Sequence, residues 1–247
     1  MINKRIFHSL GLVMLIALLI TFPSHARENR FGSDSYIANS DAYTTANAPW
    51  FFDTVYTAPP YDAGKHVSID LHPVNGTPFI SYYESSHQSL MLAQYVGTGG
   101  NCGSKNDWAC ETIDHTGNVG MYSSIAIDPT DNLPIISYYN ATTGALMLAT
   151  ETAFQWNITT IYEPLLTSAG SYSSLALGGS DKIHISFYNS NILGTDSLWY
   201  AKYVGGGTGN CTDANYQCTL VDSGDRRGKY TSLALDSLNR PHIAYYD

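Results

Sequence analysis

Residues 120–140, GMYSSIAIDPTDNLPIISYYN, decide the fold, because close copies of this stretch occur at three other places in the chain. The copies are GKHVSIDLHPVNGTPFISYYE at residues 64–84, GSYSSLALGGSDKIHISFYN at residues 170–189 and GKYTSLALDSLNRPHIAYYD at residues 228–247. Recurrence of one pattern along a chain is typical of repeat architectures, in which each copy forms one structural unit. We therefore interpret the chain as an array of equivalent units.

Two further segments recur in phase with this motif. An apolar segment follows the first three copies, at residues 90–93, 146–149 and 198–201. An aromatic residue with Val or Ile five positions later precedes every copy, and these aromatic residues are Trp50, Trp108, Trp156 and Tyr216. With the two halves of the long motif, each unit has four short extended segments, which we name A, B, C and D from the start of the motif. Short apolar and aromatic segments between turn residues predict β-strands.

Four short antiparallel strands in each unit predict an all-β fold, a β-propeller of four-stranded antiparallel blades with strand A innermost. The chain order is one D segment, three complete sets and a final A and B, so about three and a half blades are present. Such a chain fits either a four-bladed ring with an incomplete last blade or a truncated larger propeller. Closure of the ring by a second chain is a third alternative.

The blocks SLALDS and PHIAYYD within residues 228–247 and the segment LWYA at residues 198–201 carry a family resemblance. They resemble the tandem propeller repeats of secreted and cell-surface bacterial proteins, over residues 50–247. The resemblance implies the fold and no definite activity, because propellers carry enzymes, lectins and scaffolds alike. The chain does not resemble an Asp-box sialidase, since the pattern Ser-x-Asp-x-Gly-x-x-Trp does not occur and the arginines after Arg30 cluster at one end.

The N-terminal segment predicts export. Two basic residues precede an apolar run at residues 10–22, and small residues follow at the positions that a signal peptidase reads. We interpret residues 1–26 as a secretory signal peptide, residues 27–49 as a flexible leader and residues 50–247 as the repeat domain. The alternative is an uncleaved membrane anchor. Cleavage would leave no membrane span and a protein that is secreted, periplasmic or at the cell surface.

Composition limits the partners of the protein. The formal net charge is -9, charged residues make up 13% of the chain, and there are 19 tyrosines. An acidic surface repels phosphate backbones, so nucleic acid is not an expected partner. Few charges and many aromatic residues predict a packed, β-rich body rather than a disordered chain.

The four cysteines lie in two equivalent segments between strands C and D. Four cysteines allow three sets of disulfides, and the repeat favours the local pairs Cys102–Cys110 and Cys211–Cys218 because each brackets the same position in its unit. The spacing differs from that of zinc ligands, so we predict no metal site. The neighbouring glycine-rich segments do not lie at a strand-to-helix turn, so we predict no nucleotide cofactor either.

The candidate binding residues lie where the copies of the motif differ. Strand B is followed or ended by a polar residue in every copy, and these residues are Glu84, Asn140, Asn189 and Asp247. They could form a ring of acceptors for a cation or for sugar hydroxyls. The alternative is a turn in which an Asn or Asp side chain binds its own backbone, a role that Glu84 fits poorly. His72 and Asp128, in the A–B connections, are two further candidates.

The paired aromatic residues of strand B, such as Tyr82-Tyr83, admit two interpretations. They form either a platform for sugars or peptides, or a core between blades in which neighbouring rings point to opposite faces. Repetition in every unit favours the core. We interpret His184 and His242, at equivalent positions of strand B, as packed or edge-exposed rather than catalytic.

The function predicted from the sequence is an exported, non-enzymatic propeller that binds a carbohydrate or a surface protein, or acts as a scaffold. One alternative is a secreted hydrolase that acts on glycans through carboxylates on the channel face, which would need two acids at a set separation. Another is a truncated remnant without independent activity. The sequence does not pair any carboxylates, so it assigns no catalytic residues.

Overall fold

The computed structural model describes the backbone of residues 16–19, 44–45, 48–56, 62–153, 155–179, 182–191, 195–224 and 226–247. Side chains are described in the same ranges from residue 53 onwards. Every regular element in these ranges is a β-strand, and the strands form antiparallel sheets. The predicted all-β fold is therefore confirmed for the described part of the chain.

Three successive segments of the chain each form a four-stranded sheet. Sheet 1 contains β4 (Ala63–Leu71), β5 (Pro78–Glu84), β6 (Ser89–Tyr95) and β7 (Trp108–Asp114). Sheet 2 contains β8 (Val119–Ile127), β9 (Pro134–Asn140), β10 (Ala145–Glu151) and β11 (Trp156–Tyr162). Sheet 3 contains β12 (Thr167–Gly178), β13 (Lys182–Asn191), β14 (Ser197–Tyr203) and β15 (Tyr216–Ser223). In each sheet, strands A to D are neighbours in chain order, as the repeat predicts.

The ends of the chain form smaller sheets. Sheet 4 contains only two strands, β16 (Lys229–Leu235) and β17 (Pro241–Tyr246), which are the predicted final A and B. Near the N-terminus, β3 (Ala48–Asp53) lies between β1 (Ile16–Leu19) and β2 (Thr44–Thr45). The leading D segment thus pairs with N-terminal strands and not with β17. Apart from β1, β2 and the start of β3, the predicted signal and leader lie outside the described residues.

The hydrophobic core lies between the sheets. Leu90 and Phe79 of sheet 1 pack against Ile125 and Tyr138 of sheet 2, and an equivalent cluster joins sheets 2 and 3. Strand B of sheets 1 to 3 is therefore covered on both faces, and every residue of β5 is buried. This explains why strand B reads as a continuous apolar run instead of alternating with polar residues.

The A strands β4, β8, β12 and β16 lie side by side, and serine side chains join each strand to the next. Ser68 Oγ accepts a hydrogen bond from the Ile125 amide at 3.2 Å, and Ser124 Oγ accepts one from the Leu175 amide at 3.0 Å. Ser174 Oγ repeats the contact with sheet 4, at 3.0 Å. Equivalent residues therefore make equivalent contacts at all three junctions.

The glycine that opens each motif lets neighbouring sheets approach closely. Gly120 has a φ of 101°, in the left-handed region that favours glycine. A Cβ atom at this position would lie 2.6 Å from the Cα of Leu90 in the preceding sheet. Gly170 and Gly228 meet the same constraint, with distances of 2.7 Å and 2.8 Å. The glycine is therefore required both by the backbone conformation and by the packing of the sheets.

Both predicted disulfides are confirmed. Cys102–Cys110 and Cys211–Cys218 each close a hairpin loop between strands C and D, and no cysteine in the described residues is free. Disulfides of this kind indicate an oxidising compartment. Among the residues that the structure describes, none belongs to a helix with the length and apolar character that a bilayer span needs.

Candidate functional site

Four aromatic side chains stack along the junctions of the A strands. They are the third residue of each motif copy, namely His66, Tyr122, Tyr172 and Tyr230. The ring centroids of successive residues are 4.2 Å, 4.4 Å and 4.5 Å apart. We call these four residues the aromatic column. One side chain from each sheet contributes to it, so the column exists only because the sheets are stacked.

The backbone of each column residue is strained. All four residues have a φ of 54–55°, a left-handed conformation that costs an aromatic residue about 1–2 kcal/mol. Each lies in a β-bulge, where strand A carries one more residue than its partner B. Bulges turn a side chain away from the regular pleat. Here the bulge brings the ring out of its own sheet and into the column.

A second row of tyrosines supports the column from behind. These are the second members of the strand B pairs: Tyr83, Tyr139, Tyr188 and Tyr246. Their rings lie 6.1 Å, 6.4 Å, 5.8 Å and 6.4 Å from the column ring of the same sheet. In sheets 1 to 3 the first members, such as Tyr138, lie in the core on the opposite face, whereas Tyr245 of sheet 4 is exposed. The predicted division of each pair between two faces agrees with this arrangement.

An open cleft of about 310 Å³ runs along the column. The remaining lining residues are Val67, Ser123 and Thr231. Ser123 Oγ donates a hydrogen bond to the carbonyl oxygen of His66 at 2.8 Å, and Thr231 Oγ1 donates one to that of Tyr172 at 2.9 Å. The hydroxyl groups thus hold the strained backbone of the preceding column residue in place.

The cleft carries no formal charge at neutral pH. Burial, followed by the neighbouring phenols of Tyr122 and Tyr230, raises the pKa of Tyr172 well above its ordinary value. Burial, followed by the charge of Lys65, lowers the pKa of His66. The Tyr172 phenol therefore stays protonated and the His66 imidazole stays neutral, and no carboxylate is among the described lining residues. Such a surface offers ring edges, hydroxyl donors and hydroxyl acceptors to a neutral ligand.

The predicted residues that end strand B lie near the same end of the sheets as the column, but they act on their own turns. The carboxylate of Glu84 accepts hydrogen bonds from the amides of Ser86 at 2.7 Å and His87 at 2.8 Å. Asn140 Oδ1 accepts one from the Thr142 amide at 2.9 Å. The expectation that Glu84 fits a turn poorly was wrong, because its longer side chain reaches the same amides as an Asn.

The other two members of this predicted ring differ from the first two. Asn189 is buried, and its Oδ1 has no hydrogen-bond partner within the described residues. Asp247 is exposed and forms an ion pair of 3.1 Å with Arg227. The four positions therefore do not share one geometry. A common role for them in ligand binding stays a prediction.

His72 and Asp128 lie at the opposite end of strand B, in the A–B turns. His72 Nδ1 accepts a hydrogen bond from the Val74 amide at 3.2 Å, and Asp128 Oδ1 accepts one from the Thr130 amide at 2.8 Å. A strand of seven residues spans about 20 Å, so these two residues are far from Glu84 and Asn140. The predicted candidates thus divide into two groups at opposite ends of the sheets.

The aromatic column itself escaped prediction from the sequence, although a signal for it exists. An aromatic ring or imidazole stands two positions after the opening glycine in every copy, as in Gly120-Met121-Tyr122. In a regular strand, the alternation of apolar and polar residues predicts the face on which a side chain lies. Because a bulge interrupts the alternation here, the side chain leaves the face on which the pattern places it. No cluster of three or more metal-ligating side chains occurs in the described residues.

Comparisons with known proteins give little beyond this geometry. No protein-family model matches the chain, and no curated protein matches it. Among solved structures, the chain is similar to a fucose lectin from Kordia zhangzhouensis in complex with methyl-fucoside. The identity is 17%, the TM-score is 0.36, and the match covers 57% of this chain and 97% of that chain. A similarity at this level carries no argument about ligand or activity.

Proposed function

We propose that the protein is an exported, non-enzymatic β-propeller module that binds carbohydrate in the cleft along the aromatic column. The single observation that carries this proposal is the column itself, four stacked rings in an uncharged cleft lined by hydroxyl groups. Sugars combine an apolar face of C–H groups with a rim of hydroxyls. Tyrosine suits both parts, because it presents an apolar ring and a polar tip.

The propeller arrangement is supported by the way in which the sheets are joined. Successive A strands are neighbours, and the serine contact from Ser68 to Ile125 recurs at the next two junctions. When one contact relates every unit to the next, the units are related by nearly the same rotation. Four-stranded meanders stacked with their first strands together are the arrangement of propeller blades. On this proposal the column faces the central channel.

Export is supported by the two disulfides and by the N-terminal sequence. The disulfides indicate an oxidising compartment. The apolar run at residues 10–22 has the length and flanking residues of a secretory signal. A protein outside the cytoplasm meets cell-surface and extracellular glycans, which is where a sugar-binding cleft would act.

A glycan array followed by calorimetry on the best ligand tests the proposed function. Tyr230 is the most accessible ring of the column, with 67% of its surface exposed. Tyr230→Ala should weaken binding by up to about tenfold, because stacking on one ring contributes at most about 1.4 kcal/mol. The control is Tyr95→Ala, which removes a tyrosine that is 39% exposed and lies outside the cleft. This variant should bind as the wild type does.

Two results would contradict the proposal. Absence of any glycan ligand, or equal affinity of wild type and Tyr230→Ala, would show that the cleft does not bind carbohydrate. Turnover of aryl glycosides that is lost when one carboxylate is removed would instead favour the secreted hydrolase. Retained folding of each variant is checked by its melting temperature.

A further inference from the structure

The front of sheet 1 is an apolar face that Val55 covers over strands B to D and that is open along strand A. Val67, Ile69 and Leu71 alternate along β4 and are 43%, 45% and 48% exposed. The equivalent residues of sheet 2, Ile125 and Ile127, are each 5% exposed because they pack against sheet 1. Strand A of sheet 1 therefore has the side chains that this junction uses, and no sheet covers them among the described residues.

The rear of sheet 4 is the matching open face. At the preceding junction, the rear of sheet 3 presents Ala176, His184 and Ser186 toward β16. Sheet 4 carries Ala234, His242 and Ala244 at the equivalent positions, and all three are exposed. The rear of sheet 4 thus closely copies a face that already receives an A strand in this structure.

Hydroxyl pairs show that the two open faces are matched to each other. At each internal junction, a hydroxyl on strand B meets a hydroxyl on the next strand A. The pairs are Ser81–Ser123 at 2.9 Å, Ser137–Ser173 at 3.0 Å and Ser186–Thr231 at 2.8 Å. At the open faces both positions are apolar, since Ala244 stands for the first serine and Val67 for the second. An apolar residue opposite a hydroxyl would leave a buried hydroxyl without a hydrogen-bond partner. Because both residues of the pair are apolar here, the junction would bury no unpaired hydroxyl.

We infer that the rear of sheet 4 packs against the front of sheet 1 of a second copy of this chain, head to tail. Ala244 of one copy would then contact Val67 of the other. Ser232 Oγ of the first copy would accept a hydrogen bond from the Ile69 amide of the second, as Ser174 Oγ accepts one from the Leu233 amide. The occupant is a second copy because the two faces are complementary, yet the side chains of both stay exposed within one chain. A heterologous contact of this kind closes into a ring when its rotation permits.

The assembly would also extend the aromatic column. Tyr230 ends the column in sheet 4 and His66 begins it in sheet 1. Across the new junction, the Tyr230 ring of one copy would stack on the His66 ring of the other. The inference rests on strand packing and not on sugar binding, so each can fail without the other.

Cysteine cross-linking tests the contact directly. The double variant Val67→Cys/Ala244→Cys should form a disulfide under mild oxidation, because the equivalent hydroxyls lie about 3 Å apart at the internal junctions. We expect a linked dimer on a non-reducing gel, and none from either single variant. A link within one chain would overturn the inference, because it would show that the same chain closes the junction. Absence of any link at micromolar concentration would overturn it as well.

Light scattering on the purified protein gives an independent readout. The wild type should have at least twice the mass of one chain, and Ile69→Arg should have the mass of one chain, because a charge on this face cannot be buried without a partner. The control is Leu165→Arg, at a loop residue that is 99% exposed. Val67→Ser alone should weaken association, and Val67→Ser/Ala244→Ser should restore it by recreating the hydroxyl pair. A wild type that is monomeric at all concentrations would refute the inference.

Discussion

His184 provides the most direct test of the packing between sheets 3 and 4. The side chain is buried on β13, and its Nδ1 forms a hydrogen bond with the hydroxyl of Tyr200. Its Nε2 has no partner within the described residues. Protonation would place a hydrogen on both ring nitrogens and leave a charged donor buried without an acceptor. Burial, followed by the charges of Lys202 and Lys182, accordingly lowers the pKa of His184 to about 4.

The sign and size of the effect on stability follow from this pKa. The unfolded chain binds a proton at about pH 6.5, whereas the folded chain resists it until about pH 4. Stability is therefore lost as the pH falls from about 6.5 to about 4. Above about pH 6.5, the contribution of His184 to stability does not change with pH. A gap of about 2.5 between the two pKa values corresponds to about 3 kcal/mol.

Urea unfolding at several pH values between 7.5 and 4 measures this contribution. His184→Ile places at this position the residue that sheet 2 has in Ile135, and it should remove about 3 kcal/mol of the acid sensitivity. The control is His115→Gln, at an exposed histidine, which should keep the wild-type pH dependence. If His184→Ile and the wild type lose stability in parallel on acidification, the imidazole is not buried between the sheets and the reasoning fails.

Two further predictions concern the core. Gly120→Ala should lower the free energy of unfolding by at least about 2 kcal/mol in urea, because it adds a clash with Leu90 to the strain of a positive φ. The control Gly76→Ala should lose less stability, because Gly76 has a φ of 71° but a Cβ atom there would meet nothing within 4 Å. Trp108→Ala should destabilise by about 3–5 kcal/mol, since the ring is 4% exposed in the core of sheet 1. A smaller loss of stability would contradict the burial of Trp108. Trp156→Ala is the comparison, because the Trp156 side chain is only half-buried.

The order of the strands was predictable because each strand carries its own local pattern. The residues of β9, PIISYYN, are apolar or aromatic nearly throughout, and a run of this kind needs two covered faces. The disulfides were predictable for a related reason, since Cys102 and Cys211 occupy the same place in two units. Where a feature repeats at the same position of each unit, the units can be compared with one another. Such a feature can therefore be predicted without knowledge of tertiary contacts.

The candidate site was less predictable because it depends on backbone conformation. The sequence predicts Glu84 and Asn140 as binding residues because the polar type varies at the end of strand B, yet both side chains bind their own turns. It does not predict Tyr122, because alternation of apolar and polar residues does not reveal a bulge or a positive φ. The strained position becomes visible only when the neighbouring sheet and its Ser173, which donates to the Tyr122 carbonyl, are placed together.

The strain in the aromatic column is itself an argument for function. Four residues at about 1–2 kcal/mol each represent a destabilisation that glycine or asparagine at the same positions would relieve. The cores between the sheets do not include the column residues, so packing of the cores does not explain why a ring stands at each of these positions. Hydroxyls such as that of Ser123 stabilise the strained carbonyl of His66 without removing the strain. Strained backbone that the surrounding structure supports is concentrated at binding sites, and in the described part of the chain it recurs at a repeated position whose side chains line an open cleft.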